Sequence, residues 1–346
     1  MTHWIIAPVV LPALLAPIIA FVMRHDIVLA RVFSAAGSIA FAAIAFGLTL
    51  IAAGGETLVY ELGNWPAPFG IVLVSYAIAT GWDARGHHFH ALMQFQLMGI
   101  AAAFLTGDVF NLFVAFEVLL IASYGLMIHG GGQKRLRAGL QYVIMNLAGS
   151  TLFLFALGTI YATTGTLNIA DLALRVQEIP VEDAALVRVA AVLLLVVFSV
   201  KAALFPVQFW LPQTYANAPA PVAALFAIMT KVGAYAILRM YAVIFPESTV
   251  ATGSLPGNVL MVMALVTLAL GAFGVLGARR LLPLVSFSVL VSMGTLLLAI
   301  SAFTPSATGA ALCAACLRRE YFCQDEGAES AQDMLGFVSC PTQPPK

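Results

Sequence analysis

The chain consists largely of apolar runs close to the length of about 20 residues that an α-helix needs to cross a bilayer, separated by short polar segments. Because lipid offers the backbone no hydrogen-bond partners, such runs fold as helices that satisfy their own backbone groups. Hydrophobic residues make up 62% of the chain and charged residues 9%, whereas about 25% of residues in soluble domains are charged. These features predict an all-α, polytopic membrane helix bundle.

About ten crossings are expected, although Pro68–Trp82 has only 15 residues and is short for a crossing. The first run has no Lys or Arg ahead of it, which is typical of a spanning helix rather than a cleaved signal peptide. The predicted crossings are Trp4–Met23, Ile27–Ala52, Pro68–Trp82, Leu92–Thr106, Val109–Ile128, Leu140–Thr163, Ala184–Phe205, Ala220–Phe245, Val259–Leu276 and Leu284–Phe303.

The charges between these runs predict an orientation. Basic connections are expected around Arg24, Arg31, Arg85, Lys134, Arg135, Arg137, Arg279 and Arg280, and acidic or mixed ones around Glu56, Glu61, Asp171–Asp183 and Glu247. If basic loops are cytoplasmic, the N-terminus lies outside a cell (inner) membrane. Pro68–Trp82 must then cross, because it separates an acidic loop from a basic one.

Three ionisable side chains interrupt apolar runs: Glu117, Lys201 and Lys231. A charge at the bilayer centre costs about 2.5 kcal/mol or more, so it persists where it is paired, faces a wet cavity or has a function. Each alone could simply hold helices together or snorkel to an interface. Together they favour a relay that moves protons or cations across the membrane.

The run that carries Lys201 is predicted to break near Lys201–Pro212. Four prolines follow this lysine, and an internal proline removes a helix hydrogen bond and clashes with the preceding turn. They are Pro206, Pro212, Pro219 and Pro221. Irregular backbone at membrane depth is tolerated where it is buried in protein or lines a cavity, which makes Pro206, Trp210 and Pro212 candidates for the broken helix and a cavity. Alternatively, the part after Trp210 is an extramembrane loop.

Other polar residues have simpler interpretations. Asp108 is expected to cap the helix that follows it, with ion binding as the alternative. Arg239 could be a snorkelling anchor. His87, His88 and His90 lie near Arg85 and could hold a metal by residue type, although a solvated loop is favoured. His129 and the glycines after it predict a helix end.

Two segments carry a specific resemblance: FQLMGIAAAFLTGDVFNLFVAFEVLLIASYGLMIHGG and KAALFPVQFWLPQTYANAPAPVAALFAIMTKVGAYAILRMY. They resemble the D-type subunit of the multisubunit Mrp-type Na+/H+ antiporters, which is similar in turn to the proton-pumping antiporter-like subunits of respiratory complex I. The resemblance implies an antiporter-like fold with two inverted repeats, each containing a broken helix. It also implies that Glu117 on the fifth crossing pairs with Lys201 on the broken seventh, and that Lys231 on the eighth passes the proton onward.

The function that this resemblance implies is that of a transporter subunit, not an enzyme. Its expected partners are other antiporter subunits, protons, monovalent cations and the lipid bilayer, with no cofactor, metal or nucleic acid. Two alternatives stay open: a proton-translocating subunit of a complex I-like or hydrogenase complex, and an inactive truncated scaffold.

The chain departs from the family in two places. Relatives carry a longer segment around Val74–Tyr76, so an internal deletion is expected there. Residues 1–310 are expected to form the antiporter-like domain with an incomplete second repeat, and residues 311–346 a non-family tail that is disordered or frameshift-derived. This tail holds all four cysteines, Cys313, Cys316, Cys323 and Cys340. A zinc or redox site at Cys313 and Cys316 is the weaker alternative, because no second pair has the right spacing.

Overall fold

The computed structural model describes residues 6–23, 25–53, 66–180, 184–246, 248–249, 251–304 and 307. Within these ranges the regular structure is twelve α-helices and a short 3-10 helix at Asp83–Arg85, which confirms the all-α prediction. The helices are α1 (Ala7–Phe21), α2 (Ile27–Ala53), α3 (Pro66–Ala79), α4 (Phe89–Leu105), α5 (Val109–Ile128), α6 (Gln133–Thr164), α7 (Ile169–Glu178), α8 (Ala184–Ala202), α9 (Trp210–Asn217), α10 (Ala220–Val243), α11 (Leu255–Gly277) and α12 (Leu281–Ile300).

Ten of the described helices are apolar, and they fall on the ten predicted crossings, whose number stays a prediction. Seven are long and apolar enough to span a membrane, and α1, α3 and α4 are shorter apolar helices. The other two, α7 and α9, are short. Helix α7 lies in the predicted acidic connection and buries Ile169, Leu172 and Val176 on one face, which is the pattern of a surface helix.

The bundle has a protein-facing interior and an apolar exterior. Helix α6 packs between α5 and α8, and α10 packs against α8. Large aromatic side chains such as Phe153, Phe198 and Phe226 fill this interior. On the other side of α6, Leu140, Ile144 and Leu147 are exposed at the three- and four-residue spacing of one helix face. Such a face is suited to lipid.

Several helices are longer than predicted and take in basic residues that were assigned to loops. Helix α6 begins at Gln133, so Lys134, Arg135 and Arg137 lie in its first turns. Helix α4 begins at Phe89, three residues before the predicted crossing, and includes His90. Long unbranched basic side chains are good helix formers, so the end of an apolar run does not mark the end of a helix.

The two predicted ends of α5 are confirmed. The side chain of Asp108 accepts a hydrogen bond of 2.9 Å from the backbone N–H of Asn111, as an N-cap does. His129 follows the last residue of the helix, and Gly130, Gly131 and Gly132 all have positive φ. Only glycine adopts such φ values at no steric cost, so these three residues turn the chain back towards α6.

Helix α3 has 14 residues, which corresponds to about 21 Å and is short for a crossing, as predicted. The deletion inferred around Val74–Tyr76 stays a prediction. Several expectations fall outside the described residues: the charges at Arg24, Glu56, Glu61, Asp183 and Glu247, the domain boundary at residues 310 and 311, and the four cysteines of the tail.

Candidate functional site

The predicted helix break follows Lys201. Helix α8 ends at Ala202, Ala203 has a positive φ of 54°, and helical structure resumes only at Trp210, which begins α9. Pro206 lies in the break and Pro212 within α9. The part after Trp210, for which a loop was the alternative, is helical from Trp210 to Asn217, and Trp210 is only 1% exposed.

The backbone groups freed by the break find partners inside the bundle. The Nε1–H of Trp210 donates to the carbonyl oxygen of Val200 over 3.1 Å. The backbone N–H of Phe205 donates to Oγ1 of Thr267 on α11 over 2.8 Å. Such partners are what allows non-helical backbone to exist within an apolar bundle.

Lys201 lies in the last turn of α8 and is 5% exposed. Its Nζ donates a hydrogen bond of 3.2 Å to Oγ of Ser150 on α6. The same Nζ lies 5.7 Å from the ring centroid of Phe116 on α5. The three helices α5, α6 and α8 therefore meet at this buried amine.

Ser150 connects Lys201 to Glu117. Its hydroxyl donates a hydrogen bond to Oε1 of Glu117, which is half-buried on α5. Among the described ion pairs there is none between Glu117 and Lys201, whose charged atoms would have to come within 4.0 Å. The structure thus brings together a carboxylate and an amine predicted from the sequence, with a hydroxyl between them.

Ser150 was not predicted from the sequence, because a serine in an apolar helix is unremarkable by itself. A weak signal exists in its spacing from Asn146, four residues earlier on the same face of α6. Both side chains are buried, with Asn146 at 1% and Ser150 at 5% exposure. Gly149 lets this part of α6 approach α8, since a Cβ there would lie 3.3 Å from Val200.

Lys231 lies on α10 and is half-buried, and its Nζ donates to the carbonyl oxygen of Ala227 over 3.2 Å. Helix α10 touches the end of α8 through Gly233. A Cβ at Gly233 would lie 2.9 Å from the backbone N of Ala202 and 3.0 Å from the carbonyl carbon of Lys201. The helix of Lys231 therefore packs directly on the break, whereas proton transfer from Lys201 to Lys231 stays a prediction.

Arg239, which could be a snorkelling anchor, has hydrogen-bond partners within the bundle. Its Nη1 donates to Oη of Tyr235 over 2.8 Å and to the carbonyl oxygen of Phe104 at the end of α4 over 3.3 Å. A carbonyl at the end of α4 is within reach of the arginine.

A second charged cluster, also missed by the sequence analysis, joins α2, the 3-10 helix and α4. Arg31 donates to both carboxylate oxygens of Asp83, over 2.6 and 3.0 Å, and His90 Nε2 lies 3.1 Å from Asp83. Burial raises the pKa of Asp83, but the hydrogen bonds from Arg31 and His90 outweigh it, so the pKa of this carboxyl is lowered overall.

This cluster corrects the prediction for the histidines. His87 and His88 are exposed in a loop as expected, whereas His90 is buried against Asp83. Within the described ranges no group of three or more His, Cys, Asp or Glu side chains has the arrangement to hold a metal ion. His129 also turns inward, with Nε2 2.9 Å from the carbonyl oxygen of Trp82.

The apolar helices, the broken helix and the buried charges define a polytopic membrane protein of the antiporter-like class. Residues 106–317 match the family described as "NADH:quinone oxidoreductase/Mrp antiporter, TM". The match covers more than half of the chain, which belongs to this family.

Individual relatives agree with this assignment. The chain is 42% identical to the D-type subunit of a probable K+/H+ antiporter from Rhizobium meliloti, over 86% of its own length and 60% of the relative's. It is 36% identical to the D-type subunit of an Na+/H+ antiporter from Bacillus subtilis, over 90% of its length and 66% of the relative's. The chain thus spans just under two thirds of these relatives.

Solved structures show the same fold. A chain of the Mrp complex from Dietzia sp. DQ12-45-1b superposes with a TM-score of 0.78 at 28% identity, over 91% of this chain and 62% of that one. A chain of respiratory complex I from Thermus thermophilus superposes with a TM-score of 0.68 at 20% identity, over 89% of this chain and 67% of that one. The second likeness concerns the fold alone.

Proposed function

We propose that this protein is a membrane subunit of a multisubunit monovalent cation/proton antiporter, and that it conducts protons through Glu117, Lys201 and Lys231. The observation that carries the proposal is the hydrogen-bonded connection of Glu117 to Lys201 at a helix break inside an apolar bundle. The names of the relatives, which are D-type antiporter subunits for Na+ or K+, support the same role.

The proposed mechanism follows from the opposing effects that burial and a carboxylate have on a lysine. Burial disfavours the charged amine, and a nearby carboxylate favours it. Movement of α8 against α5 and α6 changes the separation of Lys201 from Glu117. A close arrangement holds the proton on Lys201, and a separated one releases it towards Lys231 on α10.

The break after Lys201 suits this movement. A continuous helix resists a local change, whereas a helix interrupted between Ala202 and Trp210 has a segment that can adjust. Discontinuous helices also build the ion sites of many transporters. The driving force comes from ion gradients, to which the membrane potential contributes about 2.3 kcal/mol per charge per 100 mV.

The proposed partners are the other subunits of such a complex, in a cell membrane, with the N-terminus outside. The proposed cargo is protons together with Na+ or K+. A scaffold without transport would need no buried charges. The three ionisable residues therefore favour transport over a purely structural role.

The test is cation/proton exchange in everted vesicles that contain the assembled complex. Addition of Na+ or K+ should dissipate a preformed pH gradient with the unmodified chain, and Glu117→Gln or Lys201→Ala should abolish this response. Equal amounts of assembled complex must be verified for each variant. Undiminished exchange in either variant would reject the relay.

A second comparison separates the role of the family from the activity of this chain. The 346-residue chain is assayed beside a version extended with a family-like C-terminal half. Exchange by the chain itself supports the proposal as stated. Exchange only by the extended version would show that the scaffold alternative describes the chain.

A further inference from the structure

We infer that Ser150 is the relay residue that carries the proton between Lys201 and Glu117, by exchanging its own hydroxyl proton. This inference rests on the proposed function and names a residue that the relay needs in addition to Lys201 and Glu117. It is carried by the position of the hydroxyl, which lies between an ammonium donor and a carboxylate acceptor.

The hydrogen bonds run in one direction. Nζ of Lys201 donates to Oγ of Ser150 over 3.2 Å, and Oγ of Ser150 donates to Oε1 of Glu117. A hydroxyl has one proton to donate and lone pairs to accept with. Ser150 therefore accepts from the lysine and donates to the carboxylate at the same time.

This orientation defines a balanced proton transfer. The N–H bond of the Lys201 ammonium breaks as a new O–H bond forms at Ser150 Oγ. The original O–H bond of Ser150 breaks as its proton forms an O–H bond with Oε1 of Glu117. Lys201 and Glu117 both become neutral, the serine regains its hydroxyl, and no other reactant is needed. The reverse transfer, from Glu117 through Ser150 to Lys201, restores the two charges and is the direction that loads Lys201 in the proposed mechanism.

The packing around Ser150 makes it difficult for a water molecule to take over the role of its hydroxyl. Ser150 and Lys201 are each only 5% exposed, and the ring of Phe116 lies against the amine. Gly149 brings α6 close to α8, with Val200 3.3 Å from the position of a Cβ. Because Lys201 and Glu117 form no direct ion pair among the described contacts, the serine hydroxyl is the connection between them.

The test compares Ser150→Ala and Ser150→Thr in the assembled complex, with exchange measured in everted vesicles. Loss of a hydrogen bond to charged groups predicts an exchange rate at least about tenfold lower for Ser150→Ala. Ser150→Thr retains a hydroxyl and should restore at least half of the unmodified rate. A rate for Ser150→Ala within twofold of the unmodified one would overturn the inference.

The matched control is Ser199→Ala. Ser199 is 1% exposed on α8, and its hydroxyl donates to the carbonyl oxygen of Leu195 in its own helix over 2.6 Å. Removing it deletes a buried hydroxyl of the same size close to Lys201 without touching the connection to Glu117. The rate should stay within twofold of the unmodified one. An equal loss in Ser199→Ala and Ser150→Ala would show a packing effect and overturn the inference.

A spectroscopic measurement keeps the inference separable from the proposed function. The infrared carbonyl band of protonated Glu117, assigned by its absence in Glu117→Gln, should move to higher frequency in Ser150→Ala as the hydrogen bond is lost. An unmoved band would overturn the inference regardless of transport. If Glu117→Gln keeps full exchange, the proposed function fails first, whatever Ser150 does.

Discussion

The indole N–H of Trp210 donates a hydrogen bond of 3.1 Å to the carbonyl oxygen of Val200, so the first residue of α9 holds the last turn of α8. Val200 directly precedes Lys201. The bond spans the break and joins the two helices that the break separates. The position of the buried lysine therefore depends on a side chain that lies beyond the interruption.

Trp210→Phe should destabilise the bundle and lower exchange. Phenylalanine preserves an aromatic ring but leaves the Val200 carbonyl without this partner. The carbonyl keeps a bond of 3.3 Å from the backbone N–H of Ala203, so the expected cost is that of one lost hydrogen bond, about 0.5–1.5 kcal/mol. Unfolding of the purified protein in detergent should show a lower free energy of unfolding for this variant than for the unmodified protein. The control is Phe209→Leu at the neighbouring residue, which is 50% exposed. Equal stability of the two variants would contradict the role assigned to the indole.

Gly233→Ala should displace α10 from the end of α8. The new Cβ would lie 2.9 Å from the backbone N of Ala202, and backbone atoms cannot move aside as a flexible side chain can. Overpacking of this kind costs about 1–3 kcal/mol. We expect a lower unfolding temperature and reduced exchange, because the helix of Lys231 shifts relative to Lys201.

Gly158→Ala is the matched control for that substitution. Gly158 also lies within a helix, but a Cβ there would have no neighbour within 4 Å. Alanine is favoured over glycine inside a helix by about 0.5–1 kcal/mol, so this variant should be neutral or slightly more stable. If both variants behave alike, close contact at Gly233 does not limit the packing of α10.

The sequence predicts the fold well because the main constraint acts on each segment separately. An apolar run such as Val109–Ile128 must be helical in lipid whatever surrounds it, and Asp108 and the glycines after His129 determine its ends locally. The break after Lys201 is equally local, since proline removes a backbone donor. These features require no knowledge of which helices are neighbours.

Features that depend on helix neighbours could not be predicted in this way. Ser150 is one of many small polar residues, and only the packing of α6 between α5 and α8 gives it Glu117 and Lys201 as partners. Arg31 and Asp83 are 52 positions apart in the chain. No periodicity connects them, so the sequence analysis counted Arg31 only among the basic charges that orient the chain and did not predict its pairing with Asp83.

Asp83→Asn should change how stability depends on pH. The pKa of Asp83 is lowered in the folded protein, so its contribution is present above the unfolded value of about 3.9 and is lost as the pH falls through the folded value. The unmodified protein should be more stable than the variant at pH 7, and the difference should shrink below about pH 4. Thermal unfolding of both proteins in detergent at several pH values measures this difference in stability.

Asp26→Asn is the control for this pH profile. Asp26 is exposed at the start of α2, where its side chain accepts hydrogen bonds of 2.9 and 3.2 Å from the backbone N–H groups of Val28 and Leu29. Asparagine preserves these bonds, so stability should differ little from the unmodified protein at any pH. A difference between unmodified protein and Asp83→Asn that is the same at pH 3 and pH 7 would argue against an ionised Asp83 in the cluster.

Substitutions at Asp108 distinguish helix capping from the ion binding that its position near the membrane also allows. The carboxylate accepts from the backbone N–H of Asn111, and Val109 N–H donates to the carbonyl oxygen of Leu167 beside it. Asp108→Ala removes the cap and should cost about 0.5–2 kcal/mol. Asp108→Asn retains an oxygen acceptor and should preserve both stability and exchange. Because asparagine lacks the charge, a stable Asp108→Asn protein with lost exchange would show that Asp108 serves the ion path.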